Sequence, residues 1–231
     1  TFATSELVEI LWRDSARLMG EEAEWRTRKN SRKGLPPVKP LYTENEVEDS
    51  LGLLSPIPYD EVIEITEGLK VRFREAGHIL GSSIIETWVS ENNGDKAVKI
   101  VFSGDLGPHD GVIEKPPTLI EEADFVLIES TYGDRLHKSL NDTRTEFEDA
   151  LKEALKTSSK VLAPTFVVDR AQRVLYELDR FQKKYPDLSM PKIYLDSPMG
   201  VKVTEIYCKY IPHLSRELKE MFLKGDDPFE P

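Results

Sequence analysis

The chain has 231 residues, enough for one sizeable core or two small ones, and two domains are expected. Its 31 Lys and Arg face 42 Asp and Glu, a formal net charge of -11, so no global basic field attracts polyanions and any nucleic-acid contact must be local. Cys208 is the only cysteine, which excludes a disulfide framework and a thiolate zinc site. No apolar run reaches the roughly 18 residues of a membrane span, and no leader-like segment opens the chain, so a soluble cytoplasmic protein without a membrane partner is expected.

Leu7, Val8, Ile10, Leu11, Trp12, Leu18 and Met19 recur at helical spacing after Thr4 and Ser5, both good N-cap types. The charged stretch Glu21 to Lys29 extends that helix, and the proline-rich Leu35 to Pro40 ends regular structure in a surface excursion. From Tyr59 onward, β-branched runs predict strands over Val62 to Ile65, Leu69 to Arg74, Ile84 to Val89, Val98 to Phe102 and Phe125 to Ile128. Asn92-Asn93-Gly94-Asp95 reads as a hairpin-type turn. After Asn141 the pattern alternates: a helix through Phe147, Leu151 and Leu155, a strand at Val161 to Ala163, a helix from Arg170 to Tyr185, and a strand at Ile193 to Leu195. Thr143 and Glu146 have capping-box spacing. The opening on Thr1 within a periodic pattern and the loop-like close at Lys224 to Pro231 suggest a piece of a longer protein.

Three strand ends carry the chemistry. His78 lies in Ala76-Gly77-His78-Ile79-Leu80-Gly81, where flanking glycines let the backbone turn sharply; such a histidine is more often a structural, hydrogen-bonded residue. Asp105 lies in Ser103-Gly104-Asp105-Leu106-Gly107, and aspartate is common in turns for local reasons alone. As a pair they are more informative, because an imidazole and a carboxylate at the ends of successive strands can converge on a divalent ion, and a carboxylate can bridge two. Glu129 leaves the apolar run Phe125 to Ile128 and precedes Ser130, Thr131, Tyr132, Gly133, Asp134, Arg135 and His137, an acid beside groups suited to phosphate. Its bland alternative is a strand end with an ordinary polar loop. Arg26, Arg28, Lys29, Arg32 and Lys33 form the one dense basic cluster, either a solvated face or a contact to a phosphate backbone. His109 and His213 stand alone beside prolines and read as loop positions, and Cys208 reads as a buried small side chain.

The strings AGHILGSS, FSGDLG and IESTYGDRLH, in that order, resemble consecutive signatures of the β-CASP metallo-β-lactamase nucleases. The segments Arg13 to Thr43 and Ala163 to Gln172 resemble the RNA-acting branch of that family. The resemblance implies an α/β fold: part of a metallo-β-lactamase αββα sandwich over 1-141 and part of an inserted βαβ-type β-CASP domain over 142-231. It implies phosphodiester hydrolysis of RNA with two Zn2+ per complete site. His78 then resembles a zinc ligand, Asp105 the carboxylate bridging both ions, and Glu129 the acid that orients a further histidine. Arg135 and His137 would steady a phosphate; Arg170 and Ser197, with Thr165, Phe166 and Gln172, fall in segments resembling the β-CASP structure or substrate groove. The His-x-His-x-Asp-His cluster and the last β-CASP histidine of the family are not in the sequence and are expected outside it, so the fragment alone is expected to be inactive. A non-catalytic scaffold subunit and a DNA-acting relative are the rival readings; the alternating insert disfavours a small-molecule hydrolase, and a homodimer stays open.

Overall fold

Helix α1 (Phe2–Ser31) follows the opening apolar periodicity through the charged stretch to its end. The computed structural model describes residues 1–91 and 96–230, so the turn expected at Asn92 to Asp95 lies outside the described residues. The cap falls on Thr1 instead of Thr4 or Ser5: Thr1 Oγ1 accepts the Thr4 N–H, and Thr4 is already inside the helix, its hydroxyl donating to the Gly81 carbonyl at 2.8 Å. After α1 the proline-rich segment folds back on the helix: Val38 N–H donates to Thr27 Oγ1 at 2.9 Å, and the Asn30 side-chain amide donates to the Pro36 carbonyl at 2.9 Å. Helix α2 (Glu44–Leu51) opens with a capping box of Thr43 and Glu46.

Strands β1 (Ile63–Thr66), β2 (Leu69–Glu75), β3 (Ser83–Val89), β4 (Val98–Phe102) and β5 (Phe125–Leu127) form one sheet in chain order. All neighbours pair antiparallel except β4 with β5, which run parallel with Phe102 opposite Leu127. This topology decides where the site sits. Glu75 at the end of β2 pairs with Ser83 at the start of β3, and Ile85 pairs with Phe102 at the end of β4. The β2–β3 loop and the segments leaving β4 and β5 therefore emerge from the same end of the sheet.

The second half is helical: α3 (Leu140–Lys156), α4 (Arg170–Lys184), α5 (Pro198–Tyr210) and α6 (Arg216–Leu223). The cap of α3 is Ser139, which accepts from Asp142 N–H, so the helix begins before the Thr143 and Glu146 box; Glu146 instead meets Lys138 at 2.5 Å. Val161 to Ala163 and Ile193 to Leu195 form no strand in the described structure. Their β-branched composition fits a pleat, but a strand exists only through a paired neighbour, and Leu162 and Tyr194 stand 90% and 79% exposed.

The main apolar cluster gathers Ala3 and Leu7 of α1, Leu80 of the β2–β3 loop, Tyr176 of α4, Val203 and Tyr207 of α5 and Leu218 of α6. It thus draws on residues from both sides of position 141. A smaller cluster of Ala76, Ile84 and Val101, with Leu106 and Ile120 against it, lies at the sheet end from which the loops leave. Buried charges add cross-ties: Arg173 of α4 bonds Glu114 at 2.6 Å and Asp169 at 2.8 Å. Further along α4, Arg180 and Lys184 each meet buried Glu148 of α3 at 2.8 Å.

Candidate active site

The β2–β3 loop is tied within itself and by three outside segments before it presents His78. Ser82 Oγ accepts the backbone N–H groups of His78 at 3.2 Å and Ile79 at 3.3 Å, while the Tyr59 hydroxyl donates to the Ser82 carbonyl at 2.8 Å. Thr1 and Thr4 both donate to the Gly81 carbonyl, at 3.1 and 2.8 Å. From α5, the Tyr207 hydroxyl accepts the buried Leu80 N–H at 3.2 Å.

The loop after β4 packs backbone to backbone against this one. Gly107 N–H donates to the Ala76 carbonyl at 2.9 Å. A Cβ on Gly107 would collide with the carbonyl of Gly77, and a Cβ on Gly77, at φ +66°, with the carbonyl of Lys115. The two glycines thus do more than permit turns: their bare backbones set the distance between the loops, a use of glycine that requires absence of a side chain. The result is an approach of His78 Nε2 to Asp105 Oδ2 of 3.9 Å.

Glu129 completes the group because β5 runs parallel to β4 and delivers it to the same end. Its Oε1 accepts the Leu106 N–H at 2.6 Å, and its own N–H donates to Ser103 Oγ at 3.0 Å. Ser103 N–H in turn donates to the Leu127 carbonyl at 2.9 Å. The Leu106 bond, followed by Thr131 and the field of His78, holds the Glu129 carboxyl below its ordinary pKa, so it is an anion at neutral pH. Asp105 is thereby bracketed on both sides, by Ser103 and by Leu106. Neither bracket was visible as a functional residue in the sequence; the one signal was their position against a strand-end acid.

The other expected site residues are dispersed. Arg135 and His137 both gather on Tyr132, the guanidinium 5.1 Å and the imidazole centroid 3.7 Å from its ring centroid. Arg170 is exposed and lies 3.6 Å from Asp169. Ser197 caps α5 by accepting Gly200 N–H at 3.0 Å. Gln172 is buried and donates to Thr204 at 2.8 Å, whereas Phe166 is 83% exposed. Cys208 is half-buried, its thiol pushed up to about 11 by burial, which suits an inert side chain.

Zinc takes nitrogen and oxygen donors and prefers four of them. His78 and Asp105 supply one of each, side by side and accessible, and fit as part of such a set. Among the described residues no three His, Cys, Asp or Glu side chains form a group able to hold a metal ion. Also among them, no helix is long and apolar enough to cross a membrane.

Residues 171–231 match the Beta-Casp domain. The chain is 36% identical along its whole length to Ribonuclease TTHA0252 of Thermus thermophilus, of which it covers 47%. It is 28% identical to the RNase J-like protein of Methanocaldococcus jannaschii, over 99% of this chain and 48% of that one. To Endoribonuclease YSH1 of Mycosarcoma maydis it is 28% identical over 82% of this chain and 21% of that one. The chain spans about half the length, or less, of these curated relatives. A Beta-Casp span in its second half and full-length similarity to a ribonuclease, beside the three strand-end motifs, make the chain similar to the β-CASP metallo-β-lactamase nucleases.

Proposed function

We propose that the protein containing this chain is a zinc-dependent phosphodiester hydrolase that cleaves RNA. The observation that carries the reading is the convergence of His78, Asp105 and Glu129 on one end of the sheet, joined to relatives named as ribonucleases. His78, through Nε2, and Asp105, through its carboxylate, would hold the metal, together with ligands from outside these residues. When bound, a zinc pair supplies a water acidified to near-neutral pKa and charge to stabilise the developing phosphorane. Asp105 would contribute negative charge that offsets repulsion between the two ions. Glu129 acts as a positioning residue: as an anion it fixes the Leu106 N–H and so the carboxylate one residue earlier. Arg135 and His137, exposed on the segment that follows Glu129, offer cationic and hydrogen-bonding groups to a phosphate.

A cleavage assay on end-labelled RNA and DNA, with zinc titrated into the metal-stripped full-length protein, tests this. Zinc-dependent RNA cleavage is expected. Zinc-loaded protein that cleaves neither substrate would sink the reading in favour of a scaffold, and preferential cutting of DNA would change the substrate.

A further inference from the structure

We propose that the distal end of α1 is a second RNA-binding site, remote from the catalytic end of the sheet, that makes binding and cleavage depend on RNA length. The inference rests on RNA being the substrate.

The N-terminus of α1 is fixed to the metal-loop region by the bonds of Thr1 and Thr4 to Gly81, three positions after His78. Its buried residues are Ala3, Leu7, Ala16 and Ala23, and past Ala23 the helix leaves the core. At ~1.5 Å rise per residue, Arg28 lies ~36 Å along the axis from Thr4. The far end is not a loose tail, because the proline-rich segment is bonded back onto Thr27 and Asn30.

What that end displays differs from the rest of the helix. Up to Arg26, each arginine of the helix is answered by an acid: Arg13 by Glu9 and Glu48, Arg17 by Asp14 and Glu21, Arg26 by Glu22. Among the described residues, Arg28, Arg32 and Lys33 have no ion pair. Trp25, Arg28, Lys29 and Arg32 follow the i, i+3, i+4, i+7 spacing of one helix face. Trp25 is 56% exposed, and Lys29 Nζ stands 4.9 Å from its ring centroid. The helix dipole favours cations in the last turn of α1, yet like charges at i, i+4 repel, and four cations left without acids on an acidic protein form a local site suited to a polyanion. An exposed indole among unpaired cations suits single-stranded RNA, whose bases stack while its phosphates meet the cations.

A stacked strand advances ~3.4 Å per nucleotide, so ~36 Å corresponds to ~11 nucleotides. RNA shorter than that cannot reach both sites; longer RNA can, and gains affinity through the second contact. Arg28→Gln, Lys29→Gln, Arg32→Gln and Lys33→Gln combined tests the idea in the full-length protein, glutamine being nearly equal to them as a helix former. Anisotropy with fluorescein-labelled oligouridylates of about 6 and about 30 nucleotides reads binding, and each phosphate that no longer meets a cation lowers the salt slope by about 0.7. The expected result is at least tenfold weaker binding of the long RNA, a salt slope shallower by about 2 to 3, and less than twofold change for the short one. Trp25→Ala should weaken the long RNA severalfold while Trp25→Phe retains it, and thermal midpoint should not move. An unchanged slope, or equal losses on both lengths, overturns the proposal. Length-dependent binding without any cleavage would keep this site and remove the catalytic reading; cleavage with unaltered length dependence would do the reverse.

Discussion

At the scale of single residues, the site separates charge from shape in a way that substitution can read. Asp105→Asn is nearly isosteric and keeps the local turn bonds, which asparagine makes as well as aspartate. A pair of zinc ions held there would need a negative charge to offset their repulsion. RNA cleavage should therefore fall by orders of magnitude and zinc content by about half, with the thermal midpoint unchanged; wild-type cleavage with wild-type zinc would show that Asp105 is a turn residue. Glu129 divides the other way. A glutamine in its place would still offer Oε1 to the Leu106 N–H, whereas alanine removes the acceptor, and a charge-assisted bond contributes about 1.5 to 3 kcal/mol. Glu129→Gln should keep most activity and Glu129→Ala lose at least about tenfold. Equal losses would mean that the charge itself, and not the clamp on Leu106, is used. His78, Asp105 and Glu129 stand out in the sequence as polar residues just past expected strands, the first two beside a glycine, and the sheet brings all three to one end. The contact of Gly107 with Gly77 and the bracket of Ser103 and Leu106 do not stand out there, since each joins segments that only the folded sheet brings together.

At the scale of elements, α3 and α4 are joined by a charge cluster that substitutes for part of an apolar seam. Burial alone would raise the Glu148 carboxyl, but bonds from Lys184, Tyr185 and Arg180 outweigh it and hold the group at about 2. Its ordinary value is 4.5, so the folded pKa is depressed. The stabilisation is present above 4.5 and is lost as pH falls from there toward 2. Glu148→Gln leaves Arg180 and Lys184 facing a neutral amide and should cost about 1 to 3 kcal/mol near neutral pH. The gap between variant and parent should close in thermal melts as pH approaches the folded value of about 2; a gap constant with pH would assign the loss to packing. Both helices were legible from apolar spacing, since an amphipathic helix needs no partner to declare its period. The strands at Val161 to Ala163 and Ile193 to Leu195 were a different case: composition marks what fits a sheet, and the sheet itself depends on neighbours elsewhere in the chain. The five runs between Val62 and Ile128 formed because each has a neighbour in the sheet, with ends within a residue or so of those expected.

At the scale of the molecule, the two halves share one interior, which bears on how the site is kept. Leu7 of α1 is 4% exposed and belongs to the cluster that buries Tyr207 of α5, and Tyr207 accepts the Leu80 N–H of the His78 loop. A helix from each half thus meets at the base of the loop that presents the imidazole. If that interior is a single cooperative unit, a cavity on the α1 side must be felt in α5, because local opening of either would expose the same apolar surface. Leu7→Ala removes buried methyl groups where the surrounding side chains are already packed, a change that costs about 2 to 5 kcal/mol. Hydrogen exchange by mass spectrometry resolves the consequence segment by segment. Protection in α1 near Leu7, in the β2–β3 loop and in α5 should fall together and by similar factors, and zinc affinity in the full-length protein should weaken with them because the loop is less well held. Peptides of α5 that keep parental protection while α1 opens would instead show two units that unfold independently, and the His78 loop would then owe its position to the sheet alone.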